Sequence, residues 1–358
     1  MIYLVGGTRP NFIKIAPISR AFEKHNIYYD IIHTGQHYDY DMDQVFFDEF
    51  GLKKPLVHLG VGSAPHGEQT AKIMERFERL CFDERPDMVF TVGDVNSTMA
   101  AALVAAKLPD VTLAHVEAGG RSFDRSMPEE INRIVTDSIS DYLFAIEPAH
   151  AKNLMDEGIP KKKCFLVGDT IIDNLIYTLG KIKKHKPKQY ILTTIHRPQN
   201  TDDLYRLKSI LKSLNELSKT TRIKFSIHPR TRNIIEKNNL KISDCIEVLE
   251  PLGYFDFVRA MTGASVILTD SGGITIEAAV LKIPCVVVRD TLERMFLVEE
   301  GTTVLCDGTE IVAKVNSAIE KGRVKLSSVW KYLLDGNASE RILQYLERYY
   351  VHTPNIFS

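Results

Sequence analysis

Short apolar runs, IYLV (2–5), YDIIHT (29–34), MVFTVG (88–93), TLAHV (112–116), YLFAI (142–146) and CFLVG (164–168), alternate with longer stretches of helical periodicity such as NFIKIAPISRAFEKH and TMAAALVAAKL. That alternation is the strongest constraint on the fold. The runs are apolar almost without a break, as strands are when helices cover both faces of a parallel sheet. A second series starts near residue 190, with YILTTI, the helical LYRLKSILKSLNEL, then KFSIH, IEVLE, SVILTD and CVVVR. The reading is an α/β chain of two Rossmann-like, doubly wound parallel-sheet domains facing a deep cleft, because ligands of such sheets bind beyond the carboxyl ends of the strands. We expect the first domain over 1–170 and the second over 171–338, with the final helix in 339–358 packing back on the first. The lysine run and Pro187 in DTIIDNLIYTLGKIKKHKPKQ read as a solvated connector between them.

Charge and composition bound the partners. The chain carries 45 Lys and Arg against 46 Asp and Glu, so no global basic field suits it to nucleic acid. It has no run of about eighteen apolar residues that would span a bilayer, so no membrane partner is expected. MIYLVGGTRP reads as a strand and turn rather than an export leader. The five cysteines are widely spaced with no C-x-x-C pair, which suits reduced thiols and a cytoplasmic setting. Among eleven histidines there is no H-E-x-x-H pattern, and no metal site is expected.

Chemistry-bearing residues gather where apolar runs end. In TDSGGITIEAA (269–279), Gly272 and Gly273 let backbone N–H groups approach an anion, Ser271 adds a hydroxyl, and a helix starting near Ile274 aims its positive end at the same point. Glu277 suits a ribose diol; a capped helix with a solvent-facing glutamate is the alternative. GGTRPNFIK (6–14) matches neither a Walker loop nor G-x-G-x-x-G, but Arg9 and Lys14 bring two cations to it. IHRPQN (195–200) and SIHPRTR (226–232) place His196 with Arg197, and His228 with Arg230, directly after apolar strands. From the first half come three acids, Asp94 in TVGDVNST, Glu117 in HVEAGG and Glu129 in MPEEINR. Carboxylates beside an anion site suit proton transfer on the part of a substrate that cations do not hold. An ordinary i,i+4 ion pair between Glu129 and Arg133 is the competing reading of the last one.

GGTRPNFIK, TGQHYDYDM, GEQTAKI, GDVNST, HVEAGGRSFDRSMPEEINR, IHRPQN, HPRTR, PLGYFDF and DSGGI-x-x-E, in this order from residue 1 to about 310, resemble the non-hydrolysing UDP-N-acetylglucosamine 2-epimerases. The resemblance implies the GT-B architecture, a homodimer, a UDP-sugar substrate and no cofactor. It implies an isomerase that interconverts UDP-GlcNAc and UDP-ManNAc by eliminating UDP across C1–C2 and adding it back through 2-acetamidoglucal, for polysaccharide biosynthesis. By resemblance Asp94, Glu117, Glu129 and His196 are catalytic, and Arg9, Lys14, Arg133, Arg197, Ser271, Gly272, Gly273 and Glu277 bind the substrate and its UDP. Gln36, His37, Gln69 and His228 match the region where bacterial members bind an activating second UDP-GlcNAc. The chain departs from the family at Gly120 in VEAGGR, at HRPQN and at LERM (292–295), where T-E-R-P is common. These departures leave open an altered UDP-sugar, such as a 2,3-diacetamido uronate, or a hydrolysing epimerase. A GT-B glycosyltransferase and a non-catalytic sugar-nucleotide sensor are the readings from other classes.

Overall fold

The computed structural model describes residues 1–35, 47, 49–183, 189–292 and 294–350. The chain divides into two compact units, Met1–Asn174 with Tyr332–Ser358, and Leu175–Lys331. In the first, the strands are β1 (Ile2–Gly6), β2 (Tyr29–His33), β3 (Val57–His58), β4 (Met88–Val92), β5 (Thr112–Val116), β6 (Tyr142–Ala145) and β7 (Cys164–Leu166). Among the described residues they form a seven-stranded parallel sheet in the order β3-β2-β1-β4-β5-β6-β7. In the second unit, β8 (Tyr190–Thr194), β9 (Arg222–Ser226), β10 (Ile246–Leu249), β11 (Val266–Thr269), β12 (Cys285–Val288) and β13 (Thr303–Cys306) pair in parallel as β10-β9-β8-β11-β12-β13. Both are the doubly wound α/β sheets expected from the alternating runs. Winding reverses between β1 and β4 in one unit and between β8 and β11 in the other, and at such a point the two flanking loops leave in opposite directions and open a crevice.

The unbroken apolar runs follow from two-sided burial. Successive strand side chains point to opposite faces. Ile191, Val286 and Val288 accordingly join Leu207, Leu211, Phe225 and Ile311 in one core, while their neighbours Tyr190, Leu192, Cys285 and Val287 join Met261, Ala278 and Ile283 in another. In the first unit Tyr3, Val5, Ile32, Val89 and Leu113 pack with Ile73, Phe77 and Ala101. The helix Asn96–Ala105 has buried residues on all sides, and its alanines let the helices His66–Glu84 and Pro128–Ile139 lie against it. That packing brings the start of the Pro128–Ile139 helix beside the loop that follows β4.

The stretch expected to be a solvated connector is instead a helix at its start, Thr170–Lys181, with Thr170, Ile172, Asn174 and Leu175 fully buried. Residues 184–188, within the lysine run, lie outside the described residues. The buried residues of this helix are anchors. Asp173 accepts hydrogen bonds from the Ala338 and Ser339 amides and the Ser339 hydroxyl, capping the last helix, Ala338–Tyr350, from another element. Arg341 donates to the Val167 carbonyl at 2.9 Å, and Lys24 pairs with Glu340. These bonds fasten the last helix to the rest of the first unit. No helix among the described residues is long and apolar enough to cross a membrane.

Candidate active site

In the first unit two of the three expected acids, Asp94 and Glu117, stand just beyond the carboxyl ends of β4 and β5, each against a cation. Lys14, from the second turn of the helix Arg9–Lys24, is ion-paired with Glu117, and both side chains are largely buried. Burial pulls the Lys14 ammonium down, and the neighbouring Glu117 and Asp94 carboxylates more than offset it, leaving its pKa above the ordinary value. Arg133 grips Asp94 through Nη2 at 2.5 Å and Nε at 3.0 Å, both on one carboxylate oxygen. Glu117 has φ +71, in the left-handed region that costs a side-chain-bearing residue roughly 1–2 kcal/mol. Strain of this kind persists only where the surroundings hold it.

The turn after β1 is self-satisfied. Asn11 Oδ1 accepts from the Gly7 and Thr8 amides, and its Nδ2 donates to the Val92 carbonyl at 2.8 Å. The loop therefore offers its cations rather than those amides, with Arg9 exposed at the helix start.

Arg133 pairs with Glu130 at 2.9 Å and not with Glu129, as the i,i+4 alternative required. Glu129 is half-buried and, among the described residues, in no ion pair. Glu130 is 1% exposed and receives the Ser122 amide and hydroxyl and the Phe123 amide at 2.9–3.0 Å, so it clamps the loop between β5 and the helix. Burial raises its carboxyl pKa, but the Ser122, Arg133 and Phe123 bonds bring it below the ordinary range. Sequence reasoning missed this role. The signal present was the second acid of MPEEINR, in the first turn of a helix.

Gln69 is 4% exposed, with its amide donating to the Gly62 carbonyl and accepting from Asn96. Gln36 and His37 lie outside the described residues, as does Glu293 of the LERM segment.

In the second unit, Asp270 organises the end of β8. It is fully buried and accepts from the His196 and Arg197 amides and from Asn200 Nδ2 at 2.9–3.1 Å. His196 Nδ1 lies 3.3 Å from the same carboxylate. Burial pulls the His196 pKa below its ordinary value; Asp270 opposes that shift, and His228 and Arg197 add to it. The His228 ring centre is 5.9 Å from that of His196, and its Nδ1 accepts from the Arg230 amide. Arg230 is exposed and engaged with both oxygens of Asp202. Nothing local in TDSGG marks Asp270 as an organiser, because its partners lie about seventy positions earlier.

The glycine helix runs Gly272–Val280, two residues earlier than expected, with Ser271 as its N-cap. Ser271 makes no side-chain capping bond, and a Cβ on Gly273 would meet only open space. An uncapped helix start with an open approach presents first-turn amides and the positive end of the dipole to an anion. Glu277 is 5% exposed, and one of its oxygens accepts from the Tyr254 hydroxyl at 2.5 Å, so it is oriented from the side rather than facing solvent.

The fold is of the GT-B α/β type, with two acids at the carboxyl ends of β4 and β5 in one sheet and an uncapped helix start after β11 in the other. The sequence matches the family described as UDP-N-acetylglucosamine 2-epimerase over residues 20–347. It is 43% identical to the UDP-N-acetylglucosamine 2-epimerase of Methanocaldococcus jannaschii, over 96% of this chain and 98% of that one. A UDP-2,3-diacetamido-2,3-dideoxy-D-glucuronate 2-epimerase of Pseudomonas aeruginosa is 38% identical over 97% and 99%. Among solved structures, the M. jannaschii UDP-GlcNAc 2-epimerase in complex with UDP-GlcNAc and UDP superposes with a TM-score of 0.83 at 41% identity, covering 97% of this chain and 99% of that one. The Neisseria meningitidis enzyme bound to UDP-GlcNAc gives 0.84 at 31% identity with the same coverage. The chain belongs to the UDP-N-acetylglucosamine 2-epimerase family.

Proposed function

We propose that this chain interconverts UDP-GlcNAc and UDP-ManNAc without net hydrolysis, by eliminating UDP and adding it back. The observation that carries the reading is the pair of cation-bound acids, Lys14 with Glu117 and Arg133 with Asp94, at the carboxyl ends of neighbouring strands. The sugar C2–H is adjacent to no carbonyl, so its removal must be coupled to departure of the group on C1. One carboxylate takes the C2 proton as the C1–O bond breaks, and UDP leaves with the bonding electron pair, giving 2-acetamidoglucal. Re-addition of UDP oxygen to C1, with a proton delivered to the other face of C2, completes the inversion. Cations and the Ser271–Gly273 helix start stabilise the charge that develops on the diphosphate. His196, whose pKa burial pulls below the ordinary value, suits hydrogen bonding to that leaving group.

Holding UDP for re-addition separates this chemistry from hydrolysis. Proton NMR of the chain with UDP-GlcNAc in D2O is the test. We expect UDP-ManNAc signals, deuterium at C2 and no free N-acetylmannosamine. Free sugar with stoichiometric UDP would overturn the non-hydrolysing reading, and an unchanged C2 configuration would overturn epimerisation.

A second reading has an observation behind it: the similarity to the P. aeruginosa uronate epimerase is nearly that to the UDP-GlcNAc enzymes. It predicts a higher kcat/KM for the 2,3-diacetamido uronate than for UDP-GlcNAc. The homodimer implied by the resemblance is checked by light scattering, where a mass of one chain at micromolar concentration would exclude it.

A further inference from the structure

A buried polar cluster surrounds the backbone that carries Glu117, and no step proposed above uses it. His115 in β5 is fully buried with both ring nitrogens on oxygen acceptors, Nδ1 at 2.7 Å from Asp137 Oδ1 and Nε2 at 2.8 Å from the Gly93 carbonyl. Asp137 Oδ2 accepts from the Gly119 amide at 3.0 Å and from Arg121 Nη1 at 2.7 Å. The Arg121 side chain is 1% exposed and also binds Glu157. Charged groups this deep are costly to desolvate, and apolar side chains of similar volume would fill the same space. Packing alone does not account for them.

What the cluster holds is specific. The backbone contacts of His115 and Asp137, the Gly93 carbonyl and the Gly119 amide, flank Glu117 in the sequence. Gly93 has φ +74, and a Cβ there would stand 3.3 Å from Lys14 Nζ and 3.6 Å from Glu117 Oε2, so this backbone abuts the ion pair directly. Gly119 has φ +82, and its position is pressed against the His150 carbonyl, which a Cβ would meet at 2.2 Å. Between them, the Glu117 and Ala118 amides both donate to the Phe144 carbonyl. The left-handed backbone of Glu117 is thus fixed from three directions.

We propose that His115 and Asp137 form a positioning unit that holds Gly93 and Gly119, and through them the strained Glu117 backbone, so that its carboxylate stays aimed beside Lys14. Arg121 ties the same unit to the loop that Glu130 clamps. The inference deepens the elimination reading and rests on it only for the task of Glu117. A displacement of a reacting group by about 1 Å costs roughly 100-fold in rate.

The test compares His115→Gln, Asp137→Ala and Asp137→Asn. We expect His115→Gln and Asp137→Ala to lower kcat about 100-fold, with KM for UDP-GlcNAc and the Kd for UDP within about 3-fold of wild type. Asp137→Asn still accepts from the Gly119 amide and should recover at least about a tenth of wild-type kcat. Wild-type kcat in His115→Gln, or equal kcat in the Asn and Ala variants at position 137, would overturn the proposal. A measurement on the wild-type chain needs neither turnover nor the folding of a variant. Nitrogen-15 spectra of labelled histidine should show a hydrogen-bonded proton on each ring nitrogen of His115, and one bare nitrogen would overturn the unit. Absence of epimerisation by the wild type would sink the elimination reading while leaving this spectrum as the judge of the cluster.

Discussion

Glu117 combines two conditions that rarely meet in one residue, a left-handed backbone and a largely buried ion pair with a lysine. The first aims the side chain where a relaxed strand end would not, and the second fixes the charge it works beside. Asp94 is held differently, by two donors from one guanidinium. If these two acids move protons at C2, Glu117→Gln and Asp94→Asn should each lower kcat by about 10²–10⁴-fold, the span of general acid–base contributions. Shape is nearly unchanged in both, so UDP should bind within a few-fold of wild type by calorimetry. Wild-type turnover in either variant would remove that acid from the mechanism. The neighbours Glu129 and Glu130 show why such roles are only partly legible in a sequence. Adjacent positions on a helix lie about 100° apart, so the rotation of the Pro128–Ile139 helix decides which of the two meets the Ser122–Phe123 loop. Nothing local in MPEEINR settles that rotation; packing of the helix on Asn96–Ala105 does.

At the scale of elements, Asp270 links three pieces of chain: the end of β11, the turn after β8 and the short helix containing Asn200. Removing its carboxylate strands two half-buried backbone amides and the buried Asn200 side chain. We therefore expect Asp270→Ala to destabilise the second unit by about 1–3 kcal/mol, the cost of leaving hydrogen-bond donors without an acceptor. Trp330, the chain's one tryptophan, stacks on Phe296 within that unit, so urea unfolding followed by its fluorescence reads the effect. A midpoint equal to that of wild type would show that the turn is held by other contacts. The strands that Asp270 joins were evident from their apolar runs, because two-sided burial leaves no polar interruption. Their order in the sheet was not, since β8 and β11 are neighbours across about seventy residues whose crossovers carry no local mark. A longer separation, of 165 and 166 positions, hid the anchoring role of Asp173, whose partners at Ala338 and Ser339 made a buried helix of what composition presented as a solvated connector.

At the scale of the whole molecule, one buried histidine makes the first unit sensitive to acid. His33, at the end of β2, is buried against Phe12, Phe47 and the His58 ring. Burial and the neighbouring His58 hold its pKa down at about 3, far below the 6.5 of a free imidazole. The folded chain therefore refuses a proton that the unfolded chain accepts. This contribution to stability is complete above about pH 6.5 and is lost as pH falls from there toward 3, at up to roughly 1.4 kcal/mol per pH unit. At pH 5 the first unit should have lost about 2 kcal/mol through this group alone. Amide hydrogen exchange in β1 and β2, which sample the first unit's core, reads the loss. His33→Gln can still accept from the Gly35 amide, as the imidazole Nδ1 does, but takes up no proton. Its exchange protection should fall less between pH 7 and pH 5 than that of wild type, by about one proton's worth of slope. An unchanged slope in the variant would assign the acid sensitivity of this sheet to other groups.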